Sequence, residues 1–450
     1  MKILSAEYVL PISSEPIENG AVVIEKDKIL AVGAFSELKE KYPQAEHESF
    51  GEAAILPGFV NVHSHLELTA MRGFLDTVEH DFTAWLLKVT KTRAEILTDE
   101  DVKTAAIFGA LEGVRAGVTC FGDIGRFGAV GFEALKKNKL RGILFQETEF
   151  SPDNKTARAD FEKLKERFSA LRETENELVK AGLSPHSPYT VSRKLFENIA
   201  EYALAENVKI TVHAAESGDE AELLEKGTGF FTKVYEKYGV EWQTPFCSPI
   251  EFLEKTGILQ AKPLLAHCIK VSDSDIEIMR ETDSRAAHCP KSNAKFGHGI
   301  APFEKFLDAK VKTGFGSDSV ASNNVCDILE ESRFAVLSAR NLISGKRFIE
   351  PKEAVETATL GGAKALGLEN ETGTLESGKQ ADLIAVSLEN VAQMPVHDVY
   401  SALVFASNAR DVQMTMVAGE ELYRNGRSKV LDEIEIKAKI KEIVRKMKEA

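Results

Sequence analysis

Several histidines and one aspartate stand where an apolar run gives way to a polar turn. His63 and His65 form an H-x-H pair at the end of ILPGFVNVHSH, His213 ends KITVH, His267 ends PLLAH and Asp318 ends TGFGSD. In an extended strand residues i and i+2 project to the same side, so His63 and His65 can reach one ion. Three neutral imidazoles (His63, His65, His213) and the Asp318 carboxylate suit a single divalent ion. Zn²⁺ is the default, and Fe²⁺ or Mn²⁺ is accepted by the same donors. Such a set leaves a position for water, whose pKa the ion would lower towards neutrality. Each residue alone has a plainer reading. One H-x-H among ten His is unremarkable, His213 could be a satisfied core residue, and Asp318 could cap the helix that follows. The weight lies in the joint pattern, in which every candidate falls at a run end.

Glu216 lies three residues after His213, in HAAES. A carboxylate there can stand beside an activated water and carry protons, as removal of an amine from a ring carbon requires. It could equally be a solvated residue opening the acidic helical stretch ESGDEAELLE. His267 either polarises the attacking water or acts as a further ligand. Asp318 is either a ligand alone or a ligand and a base. Spacing leaves both questions open. His288, in the loop-like run HCPKSNAKFGHG, either lines a site or bonds to backbone, and His298 reads as peripheral.

These groups need a scaffold that gathers run ends at one face. Eight short apolar runs, ILPGFVNVH, GVTCFGDI, RGILFQE, AGLSPH, VKITVHAAE, PLLAHC, SRAAHC and VKTGFGSD, are each followed by helical sequence. That rhythm predicts an α/β chain built on a (β/α)₈ barrel, whose chemistry sits at the C-terminal strand ends. Both ends of the chain have a different texture. AVVIEKDKILAVG reads as two strands joined by a charged turn around Lys26–Lys28, and GTLESGKQADLIAVSL and VQMTMVAGEELYRNGR are β-rich with Gly-centred turns. Neither end can bury a core alone, so residues 1–55 and 370–430 are expected to form one small β-sandwich domain. The barrel then spans 56–369. Residues 431–450 carry Ile434, Ile436, Ile440, Ile443 and Val444 at helical spacing, which predicts an amphipathic surface helix.

Composition narrows the partners. A net charge of −14 argues against a nucleic-acid backbone and leaves a small neutral molecule open. No run of about 18 apolar residues predicts a membrane span. The chain opens without an apolar leader. Five scattered Cys, never spaced C-x-x-C, fit a reducing compartment such as the cytoplasm rather than a disulfide framework. Gln and Met are sparse beside Glu and Lys, a leaning towards heat-adapted composition. Oligomeric state is not readable, though a symmetric homo-oligomer would be ordinary for this architecture.

PGFVNVHSHLEL, HAAES, LLAHC, HCPKSN and GSDSVASN, in this order, resemble the successive strand-end motifs of the amidohydrolase superfamily over essentially the whole chain. Within it the chain resembles the single-metal, nucleoside-type deaminases, which pair a metal His with a Glu three residues on. The runs RGILFQETEF and AGLSPHSP offer no Lys of the kind that bridges two metals in dinuclear members. The resemblance implies that His63, His65, His213 and Asp318 are ligands, that Glu216 and His267 are an acid–base pair, and that His186, in SPHSPYT, contacts substrate. A narrower resemblance is to aminodeoxyfutalosine deaminases of menaquinone biosynthesis, through HSHLEL with FTAWLLKVTKTR and through ESGDEAELLEKGTGFF with FLEKTGIL. Adenosylhomocysteine and methylthioadenosine deaminases usually lack a Glu after the H-x-H pair, where Glu67 stands here. Glu67 is then expected to bind a polar substrate group or to buttress a ligand His, Trp85 to line the pocket or pack in the core, and Arg93 to meet the substrate's benzoate. The alternatives are an adenosine, S-adenosylhomocysteine or methylthioadenosine deaminase, a guanine or triazine hydrolase on the same machinery, and, remotely, a non-catalytic scaffold barrel. A scaffold barrel would typically have lost ligands, and this chain keeps them all.

Overall fold

The structure, a computed structural model, describes residues 1–342 and 347–450. Its centre is a ring of eight parallel strands: Phe59–Ser64, Val118–Gly125, Arg141–Glu147, Val179–Ser184, Thr211–Ala214, Leu264–His267, Arg285–His288 and Thr313–Phe315. They pair in chain order as two four-stranded ribbons. Parallel bridges Leu183–Ile210 and Ser64–Asp318 join the ribbons and close the barrel. All eight predicted runs become strands. One of the two closing bridges thus falls on Asp318 of the expected metal set and on Ser64, between His63 and His65.

The strands are short because almost every residue on them is buried, and long crossover segments carry helices back over the outside. Val60, Val62, Ile143, Phe145, Leu264 and Ala266 share one buried cluster. Packing is close where the two architectures meet. Gly58 joins the last N-terminal strand of the terminal sheet, Ala53–Pro57, to the first barrel strand. A Cβ there would lie 2.1 Å from the Thr119 side chain, so only glycine fits.

Both chain ends contribute to one continuous nine-stranded sheet. Its seam is the antiparallel pairing of Leu383–Ser387 with Ala53–Pro57, in register from Leu383 opposite Pro57 to Ser387 opposite Ala53. Lys26, with φ 56°, forms the expected charged turn between two N-terminal strands. The C-terminal helix Glu433–Glu449 begins on Asp432, whose side chain accepts from the backbone of Ile434 and Glu435. Its buried stripe is Ile436, Ile443 and Met447, whereas Ile434 is exposed. Lys446 bonds Asp101 at 2.6 Å, tying the helix to the barrel. No described helix is long and apolar enough to cross a membrane.

The sheet is fastened to the barrel by charge as well as by packing. Arg141, which opens the third barrel strand, donates Nε to Asp382 Oδ2 at 2.6 Å and Nη1 to Glu371 at 2.8 Å. Asp382 also accepts the Ala418 backbone N–H at 2.7 Å. The Arg141 and Asp382 side chains are both almost wholly buried. Removing one partner strands the other charge away from water. Arg141→Ala is therefore expected to lower unfolding stability by about 3–5 kcal/mol in denaturant titration, and a loss under about 1 kcal/mol would show that the pair does not clamp the two parts.

Candidate metal centre and substrate cavity

His63, His65, His213, His267 and Asp318, which lie far apart in sequence, meet at the C-terminal mouth of the barrel. His65 Nε2 lies 3.2 Å from His213 Nε2. Asp318 Oδ1 lies 3.5 Å from His63 Nε2 and 3.6 Å from His65 Nε2. A tetrahedral ion with bonds of about 2.05 Å spaces its donors roughly 3.3 Å apart, so these separations are edges of a coordination polyhedron. His63 has no exposed surface, and neither of its ring nitrogens has a hydrogen-bond partner among the described residues. A buried polar atom left this way calls for a partner outside the chain. The donor set fits a divalent cation.

Neighbouring groups fix how each donor points. His213 Nδ1 donates to the His186 carbonyl at 3.0 Å, which leaves the Nε2 lone pair for the centre. Asp318 Oδ2 accepts from Ser292 at 2.5 Å and Ser322 at 2.8 Å, so Oδ1 is the oxygen that faces the imidazoles. The Asp318 N–H donates to the His63 carbonyl at 2.9 Å. Gly316 permits that approach, because a Cβ there would lie 2.6 Å from His63 Cβ. Both His267 and Asp318 hold left-handed backbone, with φ 73° and 54°, strain of the kind that gathers at functional sites. Burial, followed by the neighbouring His63, brings the His65 imidazole down to about 3. The ring is therefore neutral, the form that binds metal.

Two acid–histidine pairs flank this centre. Glu216 Oε1 lies 3.7 Å from His267 Nε2. Burial pushes the Glu216 carboxyl up to about 7, with His267 acting against the rise. The turn carrying Glu216 is held by buried Glu220, which accepts the backbone N–H of Ala215 and Glu216. His267 Nδ1 donates to Asn293 Oδ1 at 2.9 Å and so presents Nε2 to the centre. On the other pair, His186 Nε2 lies 3.9 Å from Glu147 Oε1, and His186 Nδ1 is bonded to Ser187 and Thr190.

A cavity of about 330 Å³ opens above these groups, lined by His65, His186, His213, Glu216, His267 and Asp318 and by Trp85, Phe230, Phe231 and Phe296. That size and mixture suit a small organic ligand. The helix Phe82–Glu95 brings Trp85 and Arg93 to the wall. Trp85 is mostly buried, edge-on to Phe296 at 5.0 Å, and its Nε1 has no hydrogen-bond partner among the described residues.

Glu67 departs from expectation. Residues Leu66–Met71 coil into a fully buried 3₁₀ turn, which takes Glu67 out of the cavity lining. Arg93 bonds its Oε1, and the Phe127 N–H donates to Oε2 at 3.0 Å. Glu67 thus anchors Arg93 instead of meeting a ligand. His298 is not peripheral: its Nδ1 lies 3.9 Å from Glu216 Oε1 and its ring stacks on Phe296. His288 is buried against Phe303 and does not line the cavity. The sequence reading missed Glu147, Arg126, Asn293 and Asp123. Asp123 is buried and accepts from Ser64 Oγ at 2.7 Å and the Leu66 N–H at 2.9 Å, bracing the H-x-H segment. Its signal was an acid at the end of a predicted strand, GVTCFGDI.

Comparison with known proteins agrees with this geometry. A profile described as "Amidohydrolase family" matches residues 54–422, and one described as "Imidazolonepropionase-like composite domain, bacteria" matches residues 20–45. A 5-methylthioadenosine/S-adenosylhomocysteine deaminase of Thermodesulfovibrio yellowstonii is 31% identical over 439 residues, 96% of each chain. The structure of an adenosine deaminase from Xanthomonas campestris with bound zinc superposes with a TM-score of 0.86 at 25% identity, covering 100% of this chain and 98% of that one. The Helicobacter pylori aminofutalosine deaminase shares the fold, with a TM-score of 0.78 at 23% identity over 94% of this chain and 100% of that one.

His63→Ala removes the donor with no other partner. The variant is expected to lose its bound divalent ion in elemental analysis of protein purified without chelator, and stoichiometric metal retained in it would refute the ligand assignment.

Proposed function

The chain belongs to the amidohydrolase family, and from that premise we propose that it removes the 6-amino group of a purine-type nucleoside by hydrolysis, with one divalent cation held by His63, His65, His213 and Asp318. The observation that carries this reading is the Glu216–His267 pair standing beside the donor set on one cavity wall. A cation bound there, with Zn²⁺ first among the candidates, supplies Lewis acidity that lets water lose a proton near neutral pH.

The chain's own groups do the rest. Glu216, whose carboxyl is pushed up to about 7, exists in both protonation states at neutral pH. It is suited to take a proton from water and pass it to the ring nitrogen. His267 is fixed by Asn293 with Nε2 towards the centre, where it accepts a hydrogen bond from the attacking water and orients it. Asp318, pinned by two serines, takes the second proton of the water and hands it to the departing amine, which leaves as ammonia. Trp85 and Phe296 exclude bulk water and offer apolar faces to the base. His186 stands on the same wall as a polar contact for the substrate.

The favoured substrate is 6-amino-6-deoxyfutalosine, whose benzoate group suits the apolar wall of Leu86, Phe230 and Phe231 and the cations beside it. Arg93 is already bonded to Glu67. Arg126, which lines the same cavity and forms no ion pair with a described acidic residue, is therefore the better placed partner for a carboxylate. The relative from Thermodesulfovibrio favours a second reading, deamination of methylthioadenosine or S-adenosylhomocysteine by the same groups.

Ammonia release from metal-loaded protein separates these readings. Across aminodeoxyfutalosine, adenosine, S-adenosylhomocysteine, methylthioadenosine and guanine, aminodeoxyfutalosine is expected to give the highest kcat/KM; preference for an adenosine derivative discards the narrow assignment, and no ammonia from any with metal bound discards the deaminase. Glu216→Gln is expected to keep its metal and lose about 10²–10⁴-fold in turnover, and a near-normal rate would remove Glu216 from proton transfer.

A further inference from the structure

Glu147 ends the third barrel strand, lies 7% exposed, and lines the cavity. Its Oε1 has no hydrogen-bond partner among the described residues. The facing His186 Nε2, at 3.9 Å, is beyond hydrogen-bond reach. A buried polar oxygen left unsatisfied is unfavourable, and at the functional end of a barrel strand such a group is a candidate to be completed by a ligand.

The ligand's chemistry follows from the surroundings. Glu147, His186 and His213 could be read as a second cation site, because their donor atoms lie within 4.8 Å of one another. Two observations oppose this. His213 Nε2 has one lone pair, and it is directed at the first centre, 3.2 Å from His65 Nε2. The charges of Arg93 and Arg126 bear on both Glu147 and His186, which disfavours a further cation. A neutral ligand rich in O–H donors meets no such opposition. A vicinal diol offers two O–H donors at a spacing that matches the two oxygens of one carboxyl group. The other acid–histidine pair, Glu216 with His267, is the one assigned above to the amine-bearing end of the substrate, so Glu147 with His186 is left to hold another part of it.

We propose that Glu147 is a specificity-determining residue that accepts hydrogen bonds from the 2′- and 3′-hydroxyls of the substrate's ribose, selecting ribosides over deoxyribosides and free bases. This rests on the nucleoside reading above.

The test is a cycle between enzyme and substrate. Measure kcat/KM of the metal-loaded wild type and Glu147→Gln on the best nucleoside from the panel and on its 2′-deoxy and 3′-deoxy analogues. The wild type is expected to lose about 10–100-fold on each analogue. Glu147→Gln is expected to lose a similar factor on the parent, mainly in KM, and to treat parent and analogues alike within about threefold. A deoxy penalty as large in the variant as in the wild type overturns the assignment. If Glu147→Gln does not fold, Glu147→Ser is read in the same cycle. Two metal ions per wild-type chain falling to one in the variant would make Glu147 a ligand and also overturn it. Absence of turnover on every nucleoside, with metal bound, instead sinks the nucleoside reading and takes this assignment with it.

Discussion

Bringing several imidazoles out of water into one buried cluster is unfavourable unless something outside the chain completes their nitrogens. His63 shows this, being wholly buried with neither ring nitrogen hydrogen-bonded to any of the described residues. Much of the surrounding structure orients the cluster. The His186 carbonyl fixes His213, Asn293 fixes His267, Ser292 and Ser322 turn Asp318, and Asp123 braces the segment between His63 and His65. The bonds to His213, His267 and Asp318 leave one donor atom of each facing the centre. Such outer contacts set both the tautomer and the direction of a donor.

The barrel makes that convergence affordable. Parallel strands bring eight chain segments to one rim, and the Ser64–Asp318 bridge that closes the ring also carries Asp318 onto the H-x-H pair. Closure of the fold and assembly of the centre are thus one event at that seam. The terminal sheet lies at the opposite task. It joins both chain ends through the Ala53–Pro57 and Leu383–Ser387 pairing and is held to the barrel by the Arg141–Asp382 pair.

On the substrate side, charge decides which residues are free to bind. Glu67 and Arg93 satisfy each other, so neither is the open group that its residue type suggests. Arg126, which forms no ion pair with a described acidic residue, and Glu147, whose Oε1 has no hydrogen-bond partner among the described residues, both line the cavity beside an aromatic wall. A ligand with a sugar, a flat base and an anionic substituent uses all three surfaces.

The sequence by itself determined the barrel and its principal residues, because both rest on local periodicity. An H-x-H pair in a strand has to face one side, and eight apolar runs followed by helical stretches have few ways to bury their faces. His213, His267 and Asp318 were legible for the same reason, as polar residues at run ends. What only the tertiary structure decided depends on contacts between distant segments. Glu67 looked available until the 3₁₀ turn after His65 buried it and the helix Phe82–Glu95 laid Arg93 against it. His298 looked peripheral because nothing local places its loop beside Glu216. Nothing in the run RGILFQE marks Glu147 out, since its lack of a partner among the described residues is visible only when its spatial neighbours are known. Spacing along one strand is a property of the chain, whereas satisfaction of a buried polar atom is a property of the whole fold.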